Sequence, residues 1–428
     1  MMRGLYLSES RPLRYGVFFG LYVMQGIPAG FGLTATANYL SAEGVPPGAV
    51  GAFAAMVGLP WAFQFAWGPL IDRYQGSPMG RRRPWILGAQ MVALAASLGL
   101  VAIRDPAAQL AAASWAFLTH SVFASIQDAA VDALAISTIP GAERGRVNAF
   151  MRGGFLAGTG AGAAALSWAI RRHGFPAAAL AQSLALLAMT LLTFAVRERP
   201  GDALLPGRPR GDRPSGSTGA PDLRIRDLFA ELAKGVFARP SLRLFAAIAT
   251  GYLGASVFVR AFSMHLIGRE GWSDTDLSVL SGTLGTLTAL GVVVASGWLS
   301  DRFGHRRMLV AVLLALGSFL VGFALLAPRW ADRPFARGAL VTWYGFDPAL
   351  SVAAMPALMA ICRRGVEGSQ FTTYMALVNL CDVAGSYLAG RLMGVVPAPA
   401  IGLGCGVAIL GAALSIVRTP REAGTPPG

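Results

Sequence analysis

A short phrase occurs twice, half a chain apart, each time at the end of an apolar run. The first copy reads Gly68-Pro69-Leu70-Ile71-Asp72-Arg73-Tyr74 and, after the insertion Gln75 to Met79, Gly80-Arg81-Arg82-Arg83. The second reads Gly297-Trp298-Leu299-Ser300-Asp301-Arg302-Phe303-Gly304-His305-Arg306-Arg307. An Asp-Arg pair with a basic cluster is costly beside hydrocarbon. Placed at corresponding points of both halves, it implies a duplicated membrane fold with a hinge between the copies. A second trace agrees: Ala133-Leu134, Glu143 and Met151 recur as Ala357-Leu358, Glu367 and Met375 at one constant offset of 224.

The hydropathy pattern predicts an all-α polytopic protein. Of 428 residues 54% are hydrophobic and 14% charged, against about a quarter charged in soluble domains. Apolar stretches long enough for a core of roughly 30 Å fall at 15–40, 48–70, 84–103, 108–137, 146–170 and 176–196, then at 243–267, 277–299, 308–327, 336–361, 369–394 and 398–417. Twelve spans in two six-helix halves follow, with the N-terminal bundle at 1–199, a linker at 200–242 and the C-terminal bundle at 243–428. Residues 200–221 are too polar to bury a core and read as a tether. Residues 222–238 alternate Leu223, Ile225, Leu228, Phe229 and Leu232 with charges, which suits either a helix lying on the membrane face or an ordinary lead-in to the seventh span.

The net charge of +14 is a topology signal. With both termini cytoplasmic, 26 of the 36 Lys and Arg fall on the cytoplasmic side, seven in the opposite loops, and Arg152, Arg260 and Arg391 inside helices. That is the positive-inside asymmetry, and no basic face or aromatic platform argues for nucleic acid. Arg3, Arg11 and Arg14 precede an apolar run too long for a signal peptide, so a first spanning helix is expected. Cys362, Cys381 and Cys405 lack paired spacing and read as apolar fillers, with neither disulfide nor metal site. No cofactor motif stands in a credible context; Gly158-Thr159-Gly160-Ala161-Gly162 lies inside an apolar span and reads as close helix packing rather than a dinucleotide loop. Enzyme chemistry is not expected.

Charges inside the spans are the candidates for function, because each is costly unless paired or hydrated. Asp128 and Asp132 lie at i and i+4 on one face of the fourth helix. Asp132 with Arg152 makes a structural or gate pair, whereas Asp128, deeper in the same helix, faces a cavity. Asp347 and Asp382 fall near the middle of the tenth and eleventh helices, and an unpaired acid there has the property a proton-coupling site needs. Arg260, past the middle of the seventh, either holds an anionic solute or salt-bridges Asp347 or Asp382. His120 is a proton relay or a hydrogen-bonded cavity histidine. Gln25, before Gly26-Ile27-Pro28, marks an irregular helix and a cavity wall, with Gln127 beside Asp128 completing the set.

The repeated phrase resembles the loops between helices 2 and 3, and 8 and 9, of major facilitator transporters. The resemblance implies that fold and alternating access. It also implies a cytoplasmic gate from Gly68, Asp72, Arg73, Arg81, Arg82, Gly297, Asp301, Arg302, Arg306 and Arg307, joined by Asp132 and Arg152. Leu59-Pro60-Trp61, Trp67 through Tyr74, Gly80-Arg81-Arg82-Arg83-Pro84-Trp85-Ile86-Leu87, Ala124-Ser125-Ile126-Gln127-Asp128 through Asp132-Ala133, Pro140 and Glu143-Arg144-Gly145 are similar to the AmpG-type muropeptide permeases and their acetyl-CoA transporter relatives. Helix 5 lacks the Gly-Pro element typical of drug/proton antiporters, which favours uptake. The likeness implies proton symport of a polar or anionic solute such as a muropeptide, by a monomer in a bacterial inner membrane. A siderophore or an acetyl-CoA-like solute, or a non-transporting sensor or scaffold, are the alternatives.

Overall fold

The computed structural model describes residues 5–67, 70–71, 77–139, 144–205, 234–362 and 367–417. Within them twelve helical rods run in chain order. The first six are α1 (Arg11–Ala42), α2 (Pro47–Ala62), α3 (Arg83–Leu100), α4 (Leu110–Thr138), α5 (Arg144–His173) and α6 (Phe175–Ala195). The second six are α7 (Arg239–Gly268), α8 (Asp274–Leu280 and Thr286–Phe303), α9 (His305–Leu325), α10 (Arg333–Trp343 and Phe346–Ala360), α11 (Glu367–Leu392) and α12 (Ala398–Val417). Seven of these rods are apolar and long enough to cross a membrane on composition alone. Apart from 234–238, the segment expected to form a surface helix lies outside the described residues, as do Gly68, Asp72 and Arg73.

Helix starts follow local chemistry. Proline occupies the first turn of α2, α3, α6, α7 and α10, where its missing N–H costs nothing. Ser10 and Ser273 cap α1 and α8 by accepting from Leu13 N and Asp276 N, each at 3.4 Å. Gly80 (φ 120°) and Gly304 (φ 85°) open α3 and α9. They stand 224 residues apart, so the repeat extends to a left-handed turn that favours glycine in both halves.

Four rods depart from the unbroken helices that the pattern predicts. α1 carries a π segment at Phe31–Thr36, just past Pro28, and α8 carries one at Ser281–Gly285. α10 breaks at Tyr344-Gly345, with Pro348 in the first turn of its second piece. α2 tightens after Pro60 into a 3₁₀ turn, Gln64–Ala66. Proline removes one ladder hydrogen bond, and hydropathy carries no trace of that loss.

Packing is tightest where side chains vanish. A Cβ on Gly26 would meet the carbonyl of Phe155, one on Gly158 that of Val23, and one on Gly162 that of Ile27, so α1 and α5 touch backbone to backbone. The glycine run of α5 therefore serves packing, as the sequence indicated. Between the halves, Gly160 meets Gly282 and Gly51 meets Gly390 in the same way. One core lies in the second half, where Phe258, Phe262, Phe323, Trp330 and Trp343 stack together. Another gathers Phe18, Leu21, Ile86, Val131 and Leu134 in the first. A third joins Phe31, Phe53 and Phe117 to Val257, Ala261 and Ala389, and so holds the halves together. Large apolar groups on the outside, including Trp115, Trp168, Leu184, Leu325 and Val407, suit contact with lipid.

Candidate functional site

We call the face where α1 begins and α12 ends the basic face. At the opposite face the halves are latched. Arg171 Nε, at the end of α5, donates to Asp274 Oδ1 and Oδ2 at 3.0 and 3.1 Å, and its Nη1 reaches Glu43 Oε1 at 2.7 Å. The same guanidinium lies 4.5 Å from the ring centre of Tyr39. Beside this cluster Asn38 Nδ2 donates to Ser278 Oγ at 2.9 Å. Beneath the latch is a small cavity of about 60 Å³ lined by Asn38, Ser41, Arg260, Ser263, Ser281 and Tyr344.

Toward the basic face one seam between the halves is described. The α2–α11 seam runs from Gly51 and Gly390, past Gly58 and Val383, to Asn379 Nδ2, which donates to Trp61 O at 3.2 Å. Among the described residues no hydrogen bond or ion pair joins the halves beyond that point. Phe63, Phe65 and Phe150 are exposed in the region past it.

Two polar groups sit where this seam ends. In the first half, Gln64 Nε2 donates to Asp128 Oδ2, and Tyr22 Oη donates to Asp132 Oδ1 at 2.6 Å. The 3₁₀ turn after α2 is what brings Gln64 within reach of α4. Gln25 is buried beside Asp128, and the Nε2 of buried Gln127 has no acceptor. In the second half, Ser256 Oγ donates to Asp382 Oδ1 at 2.7 Å and to its carbonyl at 3.0 Å. Asp347 is exposed in the first turn after the α10 break. Asp128, Asp132, Asp347 and Asp382 thus lie in the divide without an ion pair among the described residues.

Two expected pairings are not formed. Arg152 does not bridge Asp132: Tyr22 donates to that acid's Oδ1, and Arg152 is exposed. Nor does Arg260 reach Asp347 or Asp382. Its Nη1 donates to Leu33 O at 2.6 Å, since the π segment of α1 turns that carbonyl toward α7. His120 is buried between α3 and α4, with Nδ1 at 3.0 Å from Ala93 O, which separates it from the acids.

The repeated basic cluster also has a partner within its own half. Glu198, buried just after α6, accepts from the backbone N–H groups of Arg81, Arg82 and Arg83 at 3.1, 2.7 and 2.6 Å. Arg83 returns the favour by donating to Ala203 O at 2.8 Å and to Phe194 O. In the second half Arg306 Nη2 donates to Ile416 O, at the end of α12, at 2.9 Å. Each cluster therefore clamps the last helix of its half, and Arg82 is buried. Arg302, Arg306 and Arg307 are exposed at the α8–α9 turn, while Gly297 and Asp301 fall in the last two turns of α8. Sequence reasoning missed Gln64, Tyr22, Ser256, Glu198, Arg171 and Asp274. A polar residue isolated in an apolar run was the available signal for Gln64 and Ser256.

The Major Facilitator Superfamily model matches residues 15–390. The anhydromuropeptide permease of Escherichia coli (strain K12) is 24% identical over 396 residues, 92% of this chain and 76% of that protein. Among solved structures, a mutant of the nucleoside transporter NupG superposes with TM-score 0.68 at 12% identity, covering 94% of this chain and 99% of the other. The D-xylose-proton symporter gives 0.67 at 12% identity, covering 95% and 97%. These two likenesses speak to the fold, which is the twelve-helix arrangement that the repeated loop implied. Twelve helices in two halves, an interface latched at the face opposite the basic one, and a family match over most of the length lead to one conclusion: the chain is a multi-pass membrane protein belonging to the Major Facilitator Superfamily, a secondary transporter rather than an enzyme.

Proposed function

We propose that this transporter takes up a polar, anionic solute together with protons, and that the solute is a muropeptide. The observation that carries the reading is the set of carboxyl groups in the divide, Asp128, Asp347 and Asp382, with hydroxyl or amide partners or none. A carboxylate at such depth costs several kcal/mol unless it is hydrated or neutralised. Acids held without cations are suited to taking up and releasing protons as the divide opens to each side in turn. The name of the Escherichia coli relative supports the choice of solute.

In this reading the moving bodies are residues 1–199 and 243–428, tethered by 200–242, and a single chain supplies both. The basic face is cytoplasmic in this reading, by the positive-inside asymmetry, and the latched face is the outer one in a bacterial inner membrane. Gly68, Asp72, Arg73, Asp301 and Arg302 would close the basic face in the alternative state.

Labelled anhydromuropeptide in proteoliposomes tests the proposal. Accumulation should follow an imposed proton gradient and vanish when a protonophore collapses it. Asp128→Asn and Asp382→Asn should each lose gradient-driven accumulation while retaining expression. Normal accumulation in both variants overturns the coupling assignment, and absence of any solute flux in the parent favours a scaffold.

A further inference from the structure

Arg152 lies eight residues into α5, roughly 12 Å along the helix from its start. It is exposed, and among the described residues it makes no hydrogen bond and no ion pair within 4.0 Å. Its charge is nonetheless felt at Tyr22 on α1, at Tyr252 on α7 and at Asp347 on α10. Those three helices belong to both halves, so the space around Arg152 is the central divide rather than lipid. A guanidinium cannot shed its proton, and at this depth it costs several kcal/mol unless water or an anion attends it. Arg260, the other cation expected to hold solute, is bonded to the Leu33 carbonyl beside the closed face. The Nε2 of Gln127, buried next in sequence to Asp128, also lacks an acceptor.

We infer that Arg152 is the anion-holding, specificity-determining residue of the central site, taking a solute whose carboxylate or phosphate is flanked by acceptor oxygens such as those of a sugar or peptide. This rests on the transport reading but not on the solute being a muropeptide. The free fork of Arg152 suits a planar or tetrahedral oxyanion, and the unfilled amide donor of Gln127 suits a hydroxyl or carbonyl oxygen beside it. Asp347, across the divide and exposed, is the internal anion that competes for the same cation. The competition has a consequence that mere structural support would not produce: neutralising Asp347 strengthens anion binding.

The test uses the full chain in detergent and paired solutes with and without an anionic group. The pairs are anhydromuropeptide and its carboxyl-amidated form, glucuronate and glucuronamide, and glucose 6-phosphate and glucose. The parent should prefer the anionic member of at least one pair by about 10- to 100-fold, the scale of a charge-assisted contact. Arg152→Gln should abolish that preference, Arg152→Lys should keep part of it, and Asp347→Asn should raise affinity for the anionic member several-fold. Preference confined to a pair other than the muropeptide supports the role of Arg152 and sinks the choice of solute; preference confined to the phosphate pair identifies the oxyanion. Preference that survives in Arg152→Gln overturns the inference, and so does a parent that prefers no anionic member of any pair.

Discussion

Glu198 accepts three successive backbone N–H groups at the start of α3 while 3% exposed. The first turn of a helix has unused donors and a positive dipole end, so a buried carboxylate there satisfies both at once. Glu198→Ala leaves those donors without an acceptor, and a loss of roughly 3 kcal/mol is expected, at the upper end for hydrogen bonds to a charged group. Glu198→Gln should lose less. Thermal unfolding of the purified protein reads the difference, and an alanine variant as stable as the parent removes the cap from the account. Nothing in the local sequence around Glu198 announced this role, because its partners stand well over a hundred residues away. The same holds for Tyr22 and Asp132: the sequence showed that an acid was expensive in α4, and burial made a partner necessary, but several residues were eligible. Arg152 was chosen as that partner on depth alone. The side chain that donates to the acid is a neutral hydroxyl on α1, that of Tyr22.

At the level of elements, the spans and their order were legible because a twenty-residue apolar run has one economical use in a membrane. The irregularities were less so. Pro28, Pro60 and Pro348 marked where α1, α2 and α10 could deviate, but not whether the deviation would be a π segment, a 3₁₀ turn or a break. The glycines of α5 were read correctly as packing, yet Gly160 turned out to serve the other half. Its backbone meets that of Gly282 on α8, whereas Gly291, further along α8, has open space where a side chain would stand. This contrast supports a controlled prediction. Gly160→Leu should wedge α5 from α8 and cut solute accumulation at least tenfold with membrane insertion preserved. Gly291→Leu, the same change in the same kind of helix, should leave accumulation near the parent level. Equal effects from both would mean that the α5–α8 contact has no special part in transport.

For the whole molecule, the two copies of one loop and the uneven distribution of arginine set the architecture before any contact was known. Which face is shut is a property of the contacts alone. Arg171 holds Asp274 and Glu43 together, Asn38 bonds Ser278, and the Arg260 guanidinium bonds the carbonyl of Leu33, all on one side of the midplane. If transport requires this face to part, fastening it must stop transport, and loosening it must shift the balance of states. The fastening experiment replaces Cys362, Cys381 and Cys405 with serine and introduces Asn38→Cys with Ser278→Cys. The two native side chains touch at 2.9 Å across the halves, so thiols at these positions face one another, and formation of the disulfide is checked first by its shift on a non-reducing gel. Oxidation should abolish accumulation and reductant should restore it, while either cysteine alone should have no redox response. Arg171→Ala, with Asn38→Cys as the only thiol, should raise the rate of labelling by a membrane-impermeant maleimide added from outside. A cross-linked protein that still accumulates solute would show that this face stays closed throughout the cycle, and two bodies rocking about their shared glycine contacts would then be the wrong description of how this transporter moves.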